Sequence, residues 1–357
     1  MKMKTKLLLI VAALAIFASC DKEWKPGMPL AKEKVVVGVL HLSDPFTENS
    51  GYAYAHQMGI VYMQKTLGLE DNQILYRTHV DYSNPYDSES AIRELIARGA
   101  NIIFATSWGY MDVCEKLALE YPNVIFAHAT GNKHNDTNFT NYFGRVYQAR
   151  YLSGIIAGMR TKSGRIGYVA AWGTQNSEVT GGINAFAMGV EKVNPDARVY
   201  VKVTHSWFDP MGETMAAREL IGLDCDVITQ HVDTANPQIE AQRAGIWGIG
   251  YNTDMSGDAP NAVLTSVLWQ WGAYYTFLVQ SVINGTFVTT PWYGSIADGI
   301  VDLAPLNQNI SWDAELVRIL EDARRRIEDG SLVVFEGLSD NEVQFGIDWY
   351  HHTVIER

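Results

Sequence analysis

Short runs of β-branched and aliphatic residues alternate along nearly the whole chain with segments whose apolar positions recur every three to four residues. Val35-Val-Val-Gly-Val-Leu40 is the first such run, and Ser43-Asp44-Pro45 stops it. A run of this kind suits a strand buried on both faces. Residues 53–67 follow at helical spacing, with Ala55, Met58, Tyr62 and Met63 on one side. The same reading predicts strands at 74–80, 101–106 and 124–127 and helices at 88–98, 111–121 and 147–161. The last of these helices carries Gly154 and Gly158 on one side, which permits close packing. The pattern restarts at Arg165, with strands at 165–170, 198–204, 226–230, 247–251 and 263–267. Helices alternate with them at 179–193, 211–222, 236–244, 272–283 and 312–329. Strands alternating with helices imply parallel sheets joined by right-handed crossovers. Two such series, dividing near 162–164, predict two α/β lobes, each built on a doubly wound parallel sheet.

The first nineteen residues stand outside this pattern. Lys2, Lys4 and Lys6 precede an apolar run from Leu7 to Phe17. That run is shorter than the roughly 20 apolar residues a bilayer core requires, and it has the layout of a signal peptide. It ends in Phe17-Ala18-Ser19-Cys20, which resembles a bacterial lipobox, so Cys20 is expected to be lipidated and to begin the mature chain. Phe17 replaces the commoner leucine of that motif, and a plain secretory signal is the alternative. Residues 20–33 are polar with two prolines and read as a tether. The composition is 47% hydrophobic and 19% charged, enough for packed cores. A net charge of −12 argues against nucleic acid as a partner, because phosphate binding needs clustered Lys and Arg. Three cysteines build neither a disulfide framework nor a Cys-rich metal site. Cys114 and Cys225 read as buried core thiols.

In open parallel sheets, ligands bind beyond the carboxyl ends of the strands. Those ends are here unusually aromatic and polar. The first delivers Asn49 and Tyr52; the strand at 101 delivers Trp108, Tyr110 and Asp112; the strand at 165 delivers Trp172. The later strands deliver Trp207, then His231 and Asp233, then Asn252 and Asp254, then Trp269 and Trp271. Aromatic faces and edge acceptors suit a flat polar ring, and stacking on one ring contributes about 1–3 kcal/mol. Taken singly, each aromatic reads better as a lobe cap or interface lining; gathered at one edge of both sheets, they predict a cleft. Asp112 serves as a helix-terminal charge or as a ligand contact. Asp209, before Pro210, reads as an N-cap. Asp233 is the best edge acceptor for a base amine.

Several segments together resemble the basic membrane protein family of exported substrate-binding lipoproteins. They are Ser107-Trp-Gly-Tyr-Met-Asp112, Tyr121-Pro-Asn-Val-Ile-Phe-Ala127, Tyr151-Leu-Ser-Gly-Ile-Ile-Ala-Gly158 and Gly164-Arg-Ile-Gly-Tyr-Val169, followed by Val193-Asn-Pro195, Ser206-Trp-Phe-Asp-Pro210 and Asp226-Val-Ile-Thr-Gln230. The resemblance implies a type I periplasmic-binding-protein fold whose lobes are joined by a three-segment hinge. On that basis, residues 34–162 and 270–288 form the N-terminal lobe, 163–269 and 289–335 the C-terminal lobe, and 336–357 an extension. The expected crossings lie near 162–165, 266–271 and 286–293. The resemblance further implies a purine base or nucleoside as ligand and an ABC permease as partner, closest to a branch associated with adenine-like bases. Tyr52 and Trp207 occupy the stacking places, Asn49 the polar place before the first aromatic, and Asn252 or Asp254 the acidic place after the strand at 247. Nucleoside-binding members carry a lysine shortly after Leu-Thr-Ser. Here Leu264-Thr-Ser266 leads to Trp269 without one. That departure favours a free base, with Trp269 filling the space of the sugar.

No catalytic residue, cofactor or metal is expected, and the protein reads as a monomeric receptor rather than an enzyme. No Gly-x-Ser-x-Gly elbow, phosphate loop or His-Glu-x-x-His occurs. A nucleoside hydrolase would need a nucleophile or a clustered acidic calcium site. A sugar-binding or sensory receptor of the same fold is the nearest rival, since sugars also stack on Trp. His351-His352 shows no metal spacing with a third ligand and is expected on the solvated surface. Phe345 to Trp349 is a candidate for packing back on a lobe.

Overall fold

The computed structural model describes residues 23–357. The predicted leader, Cys20 and the first tether residues lie outside the described residues. Among those described, no helix is long and apolar enough to cross a membrane.

The first sheet contains β1 (Val37–Leu40), β2 (Ile74–Arg77), β3 (Ile102–Ala105), β4 (Ile125–Ala129), β5 (Phe139–Gly144) and β11 (Trp292–Gly294), in the order β11-β5-β4-β3-β1-β2. Every pairing in it is parallel. α1 (Tyr52–Leu67), α2 (Pro85–Ala97), α3 (Met111–Glu120) and α8 (Gly272–Asn284) cover it. The second sheet contains β6 (Arg165–Ala170), β7 (Arg198–Val203), β8 (Val227–His231), β9 (Trp247–Asn252), β10 (Val263–Trp269), β12 (Val301–Leu303) and β13 (Val354–Glu356), in the order β12-β10-β9-β8-β6-β7-β13. It is parallel except for the β10–β12 pair. α4 (Val146–Arg160), α5 (Ser177–Val193), α6 (Pro210–Gly222), α7 (Asn236–Ala244), α9 (Ala314–Glu328) and α10 (Asp340–Phe345) pack on this side. The result is the doubly wound two-lobe architecture predicted from the alternation.

Local chemistry sets the helix starts. Asn84, Asn176 and Asp209 each accept a backbone N–H from the first turn, and Pro follows directly after the first and last of them. Side-chain caps satisfy donors that the helix itself cannot, and Pro suits the first helical position. The Asp209 carboxylate takes the Gly212 N–H at 3.0 Å, as a cap should.

The lobe boundaries differ from the expected ones. α4 does not stay with the first sheet: it packs on α5, α9 and the β9–β10–β12 edge of the second. The first crossing is therefore at Gly144–Arg145–Val146, not near 162–165. Its apolar surface belongs to the second lobe because Gly154 and Gly189 abut the opposing backbones; a Cβ on either would sit about 2 Å from a carbonyl oxygen across the interface. Likewise β11 pairs with β5, so the third crossing runs between Gly294 and Val301 rather than at 286–293. The second crossing runs between Trp269 and Gly272. The three strands of the hinge are bonded to one another: Arg145 N donates to Gly294 O at 2.7 Å, and Gln270 N to Ile300 O at 2.7 Å.

The C-terminal extension is not a loose tail. β13 adds an edge strand beside β7, and Val343 and Ile347 are buried against the second lobe. α10 also reaches the first lobe, with the Phe345 ring 6.4 Å from Trp108. The Asp340 carboxylate engages the Arg145 guanidinium in the first crossing, with Arg145 Nε donating at 2.9 Å. Cys114 and Cys225 are free and buried.

Candidate functional site

The lobes meet where the carboxyl ends of both sheets face each other. Gly51 begins α1 with φ +92°, and a Cβ there would lie 3.0 Å from the carbonyl oxygen of Asp233 in the other lobe. A left-handed φ and this close approach both favour glycine. Tyr52 follows, half-buried, and its hydroxyl donates to Thr106 O at 2.8 Å. Its ring stands edge-on to His56 at 4.5 Å and to Trp271 at 6.2 Å. Trp271 stacks on His56 at 4.2 Å and on Trp269 at 4.4 Å. Tyr142 and Tyr275 complete a buried aromatic bed beneath them. On this face, burial pushes His41 down to about 4 and holds His56 well below the ordinary imidazole range. Both imidazoles are therefore neutral at physiological pH.

The opposing face carries charge. Asp233, at the end of β8, accepts from Asn252 Nδ2 at 2.9 Å. Asn252 ends β9 with φ +67°, a left-handed conformation that asparagine tolerates better than most residues. Burial raises the Asp233 carboxyl to about 7, against the opposing effect of the Asn252 hydrogen bond. Glu178, in the first turn of α5, is raised to about 8 by burial and by the nearby Asp233 charge, with Arg150 pulling the other way. Arg150, from α4, is fully buried. Its guanidinium lies 4.4 Å from the Tyr251 ring centre and 5.5 Å from that of Tyr168, and Nη1 donates to Gln230 O at 2.7 Å. Its Nε and Nη2 find no acceptor among the described residues. His231 lies 3.2 Å from the Tyr168 hydroxyl and 3.7 Å from Glu178, and burial together with Arg150 keeps it neutral. Trp207 stands edge-on to His231 at 5.8 Å, and its carbonyl accepts the Asp233 N–H at 2.9 Å. A cavity of about 10 Å³ remains beside Glu178, lined by Phe143, Tyr147, Tyr293 and Val343.

Seven of the residues singled out from the sequence thus gather at one junction: Tyr52, Trp207, His231, Asp233, Asn252, Trp269 and Trp271. Trp269 is almost fully buried, and its indole N–H donates to Tyr251 Oη at 2.9 Å. It belongs to the wall rather than to an open sugar subsite. The others lie apart. Tyr110 is buried in the first-lobe core, donating to Val80 O at 2.8 Å. Asp112 is exposed at the start of α3 and pairs with Lys133 at 2.9 Å. Asp254 is exposed and caps the turn at Met255–Gly257. Trp172 follows the carboxyl end of β6, half-buried, with its ring 6.1 Å from His205. Asn49 is exposed, and Trp108 is half-exposed beneath Phe345. Sequence reasoning missed Arg150, Glu178 and Tyr251. An Arg in the first half of the apolar helix of residues 147–161, away from the C-terminal end where Arg160 sits, was the available signal for the first.

Three similarities bear on this arrangement. The chain is 35% identical over 323 residues to a purine-binding protein of Brucella abortus, covering 90% of this chain and 89% of that one. It is 36% identical over 231 residues to a Haloferax volcanii protein whose name proposes glucose binding for an ABC transporter, covering 65% of this chain and 58% of that one. In structure it is similar to an ABC transporter solute-binding protein of Conexibacter woesei, with a TM-score of 0.70 at 19% identity over 85% of this chain and 100% of that one. Residues 34–325 match the Bmp family model, described as ABC transporter substrate-binding protein PnrA-like, and the chain belongs to that family.

Proposed function

We propose that the chain captures a purine base or purine nucleoside between its lobes and hands it to an ABC permease. The observation that carries this reading is the pairing of Tyr52 and Trp207 with the Asp233–Asn252 couple at the lobe junction. The aromatics supply stacking faces. The couple supplies an acceptor for a ring N–H or exocyclic amine beside the Asn252 amide, whose Oδ1 has no partner among the described residues. The Brucella relative named for purine binding supports the same choice. Closure about the three-segment hinge buries the ring and completes one composite surface for the permease. Lipidation at Cys20 would hold the body at the membrane on its outer side. A free base is preferred over a nucleoside, because no lysine follows Leu264-Thr-Ser266 and Trp269 is committed to Tyr251.

A glucose-like sugar is the second reading, supported by the name of the Haloferax relative and the density of tryptophan at the junction. One experiment separates the two. The mature body is unfolded and refolded to shed carried-over ligand, then melted with adenine, guanine, hypoxanthine, their nucleosides, ribose and glucose. A ligand at a hundred times its Kd stabilises the fold by about 2.7 kcal/mol. Shifts with bases and none with sugars are expected. A shift with glucose alone overturns the purine reading.

A further inference from the structure

Asn184 and Glu191 lie seven residues apart on α5 and so share one face of the helix. The C-terminal segment runs along that face. Asn184 Nδ2 donates to Trp349 O at 2.7 Å, and His351 N donates to Asn184 Oδ1 at 2.8 Å. On the other side, β13 fixes the chain in register with β7. The segment between these two attachments contains His351 and His352, and both rings turn to the Glu191 carboxylate. His351 Nε2 lies 3.4 Å from Oε2, and His352 Nε2 lies 2.9 Å from Oε1. One ligand atom from each of the three residues falls within 4.8 Å of the other two. The pair expected on the solvated surface therefore has a third candidate ligand beside it, brought from a helix 160 residues away in sequence.

We propose that Glu191, His351 and His352 bind a divalent transition metal ion, which clasps the C-terminal segment to α5. Bonds of about 2.1 Å at tetrahedral angles put neighbouring ligand atoms about 3.4 Å apart, against 3.4 and 2.9 Å for the two imidazole–carboxylate separations. Metal binding at His351 Nε2 requires the tautomer in which Nδ1–H donates to Thr353 Oγ1, 2.9 Å away; without metal, Nδ1 also accepts from the Thr353 backbone N–H at 3.5 Å, so binding shifts the ring proton from Nε2 to Nδ1. His352 is 70% exposed, so water can complete the coordination shell. Two imidazoles and one carboxylate favour zinc, nickel or copper over magnesium or calcium, which take oxygen ligands. The site is remote from the lobe junction and stands independently of the ligand reading.

The test uses the untagged mature chain after treatment with EDTA. Calorimetric titration with Zn²⁺ or Ni²⁺ is expected to give one equivalent bound per chain and a higher melting temperature, with no response to Mg²⁺. Co²⁺ is expected to give visible ligand-field bands that His352→Ala abolishes. Because His352 is exposed, that variant keeps the fold, and its metal affinity is expected to fall at least tenfold. Thr353→Val, which frees the His351 ring, is expected to weaken binding by about 10–100-fold. Glu191→Gln must weaken it as well. Zinc binding unchanged in Glu191→Gln, or no binding by the wild type at submillimolar metal, overturns the proposal.

Discussion

The two faces that meet at the lobe junction are built on opposite electrostatic plans. The first-lobe face is aromatic and neutral: Tyr52, His56, Trp271 and Tyr275 pack on one another, and burial keeps the imidazole uncharged. The second-lobe face holds a buried arginine, two carboxyls of raised pKa and a neutral histidine. Buried charge is costly unless it is paired and hydrogen-bonded. Arg150 makes one hydrogen bond, to a carbonyl, and lies against two tyrosine rings, a partial compensation. The contrast divides the work. On the purine reading proposed above, the neutral face offers area and shape at no electrostatic cost, whereas the polar face would tell one ring edge from another. Affinity should therefore be shared between the faces, and specificity should reside mainly in the second.

The largest break in this division comes from Asp233→Ala. It removes the acceptor and strips Asn252 of its partner. Hydrogen bonds to charged groups contribute about 1.5–3 kcal/mol, so purine affinity is expected to fall by roughly 10–150-fold. Discrimination among purines should fall with it. Trp207→Ala removes a stacking face instead, at about 1–3 kcal/mol, and should weaken all purines alike. Calorimetry with adenine and hypoxanthine on both variants distinguishes the two. A uniform loss in Asp233→Ala would deny the second face its selective role.

The raised carboxyls make a second difference visible without any ligand. Asp233 near 7 and Glu178 near 8 keep protons in the folded state that the unfolded chain releases near 3.8 and 4.5. The folded state binds more protons across that window. The stability these groups allow is therefore fully present below about pH 4 and is lost as the pH rises through 7 to 8. The Asp233 charge adds to the rise at Glu178, and partial solvent access reduces the effect to on the order of 2 kcal/mol for each group. Glu178→Gln should flatten the upper part of this slope in chemical denaturation between pH 5 and 8. An unchanged slope would mean that Glu178 is charged in the folded protein.

Much of this was legible along the chain, and the failures have physical causes. β1, β3 and β6 are short aliphatic runs buried on both faces, and they read as such. β5 was missed although it is buried throughout, because Thr140 and Asn141 interrupt its apolar run; those side chains donate to Thr290 O and Lys133 O instead of facing water. β11, β12 and β13 have three residues each and exist only through pairing with distant strands. The lobe to which α4 belongs is set by its glycine contact with α5, which no local pattern records. At the site, strand ends pointed to Tyr52, Trp207, Asp233 and Asn252. Arg150 and Glu178 lie within helices, where a single charge reads as a solvated position.

Tyr52→Phe gives the smallest effect and the finest test of the neutral face. The ring and its edge contacts with His56 and Trp271 remain, and only the hydroxyl bond to Thr106 O is lost. A neutral hydrogen bond of this kind contributes about 0.5–1.5 kcal/mol. If Tyr52 serves the ligand as a surface, purine affinity should fall by no more than about tenfold, because the ring stays close to its present position. The selectivity between adenine and hypoxanthine should stay unchanged. If selectivity changes in Tyr52→Phe, the hydroxyl itself reads the ring edge, and the first face is not the passive partner that its uncharged chemistry indicates.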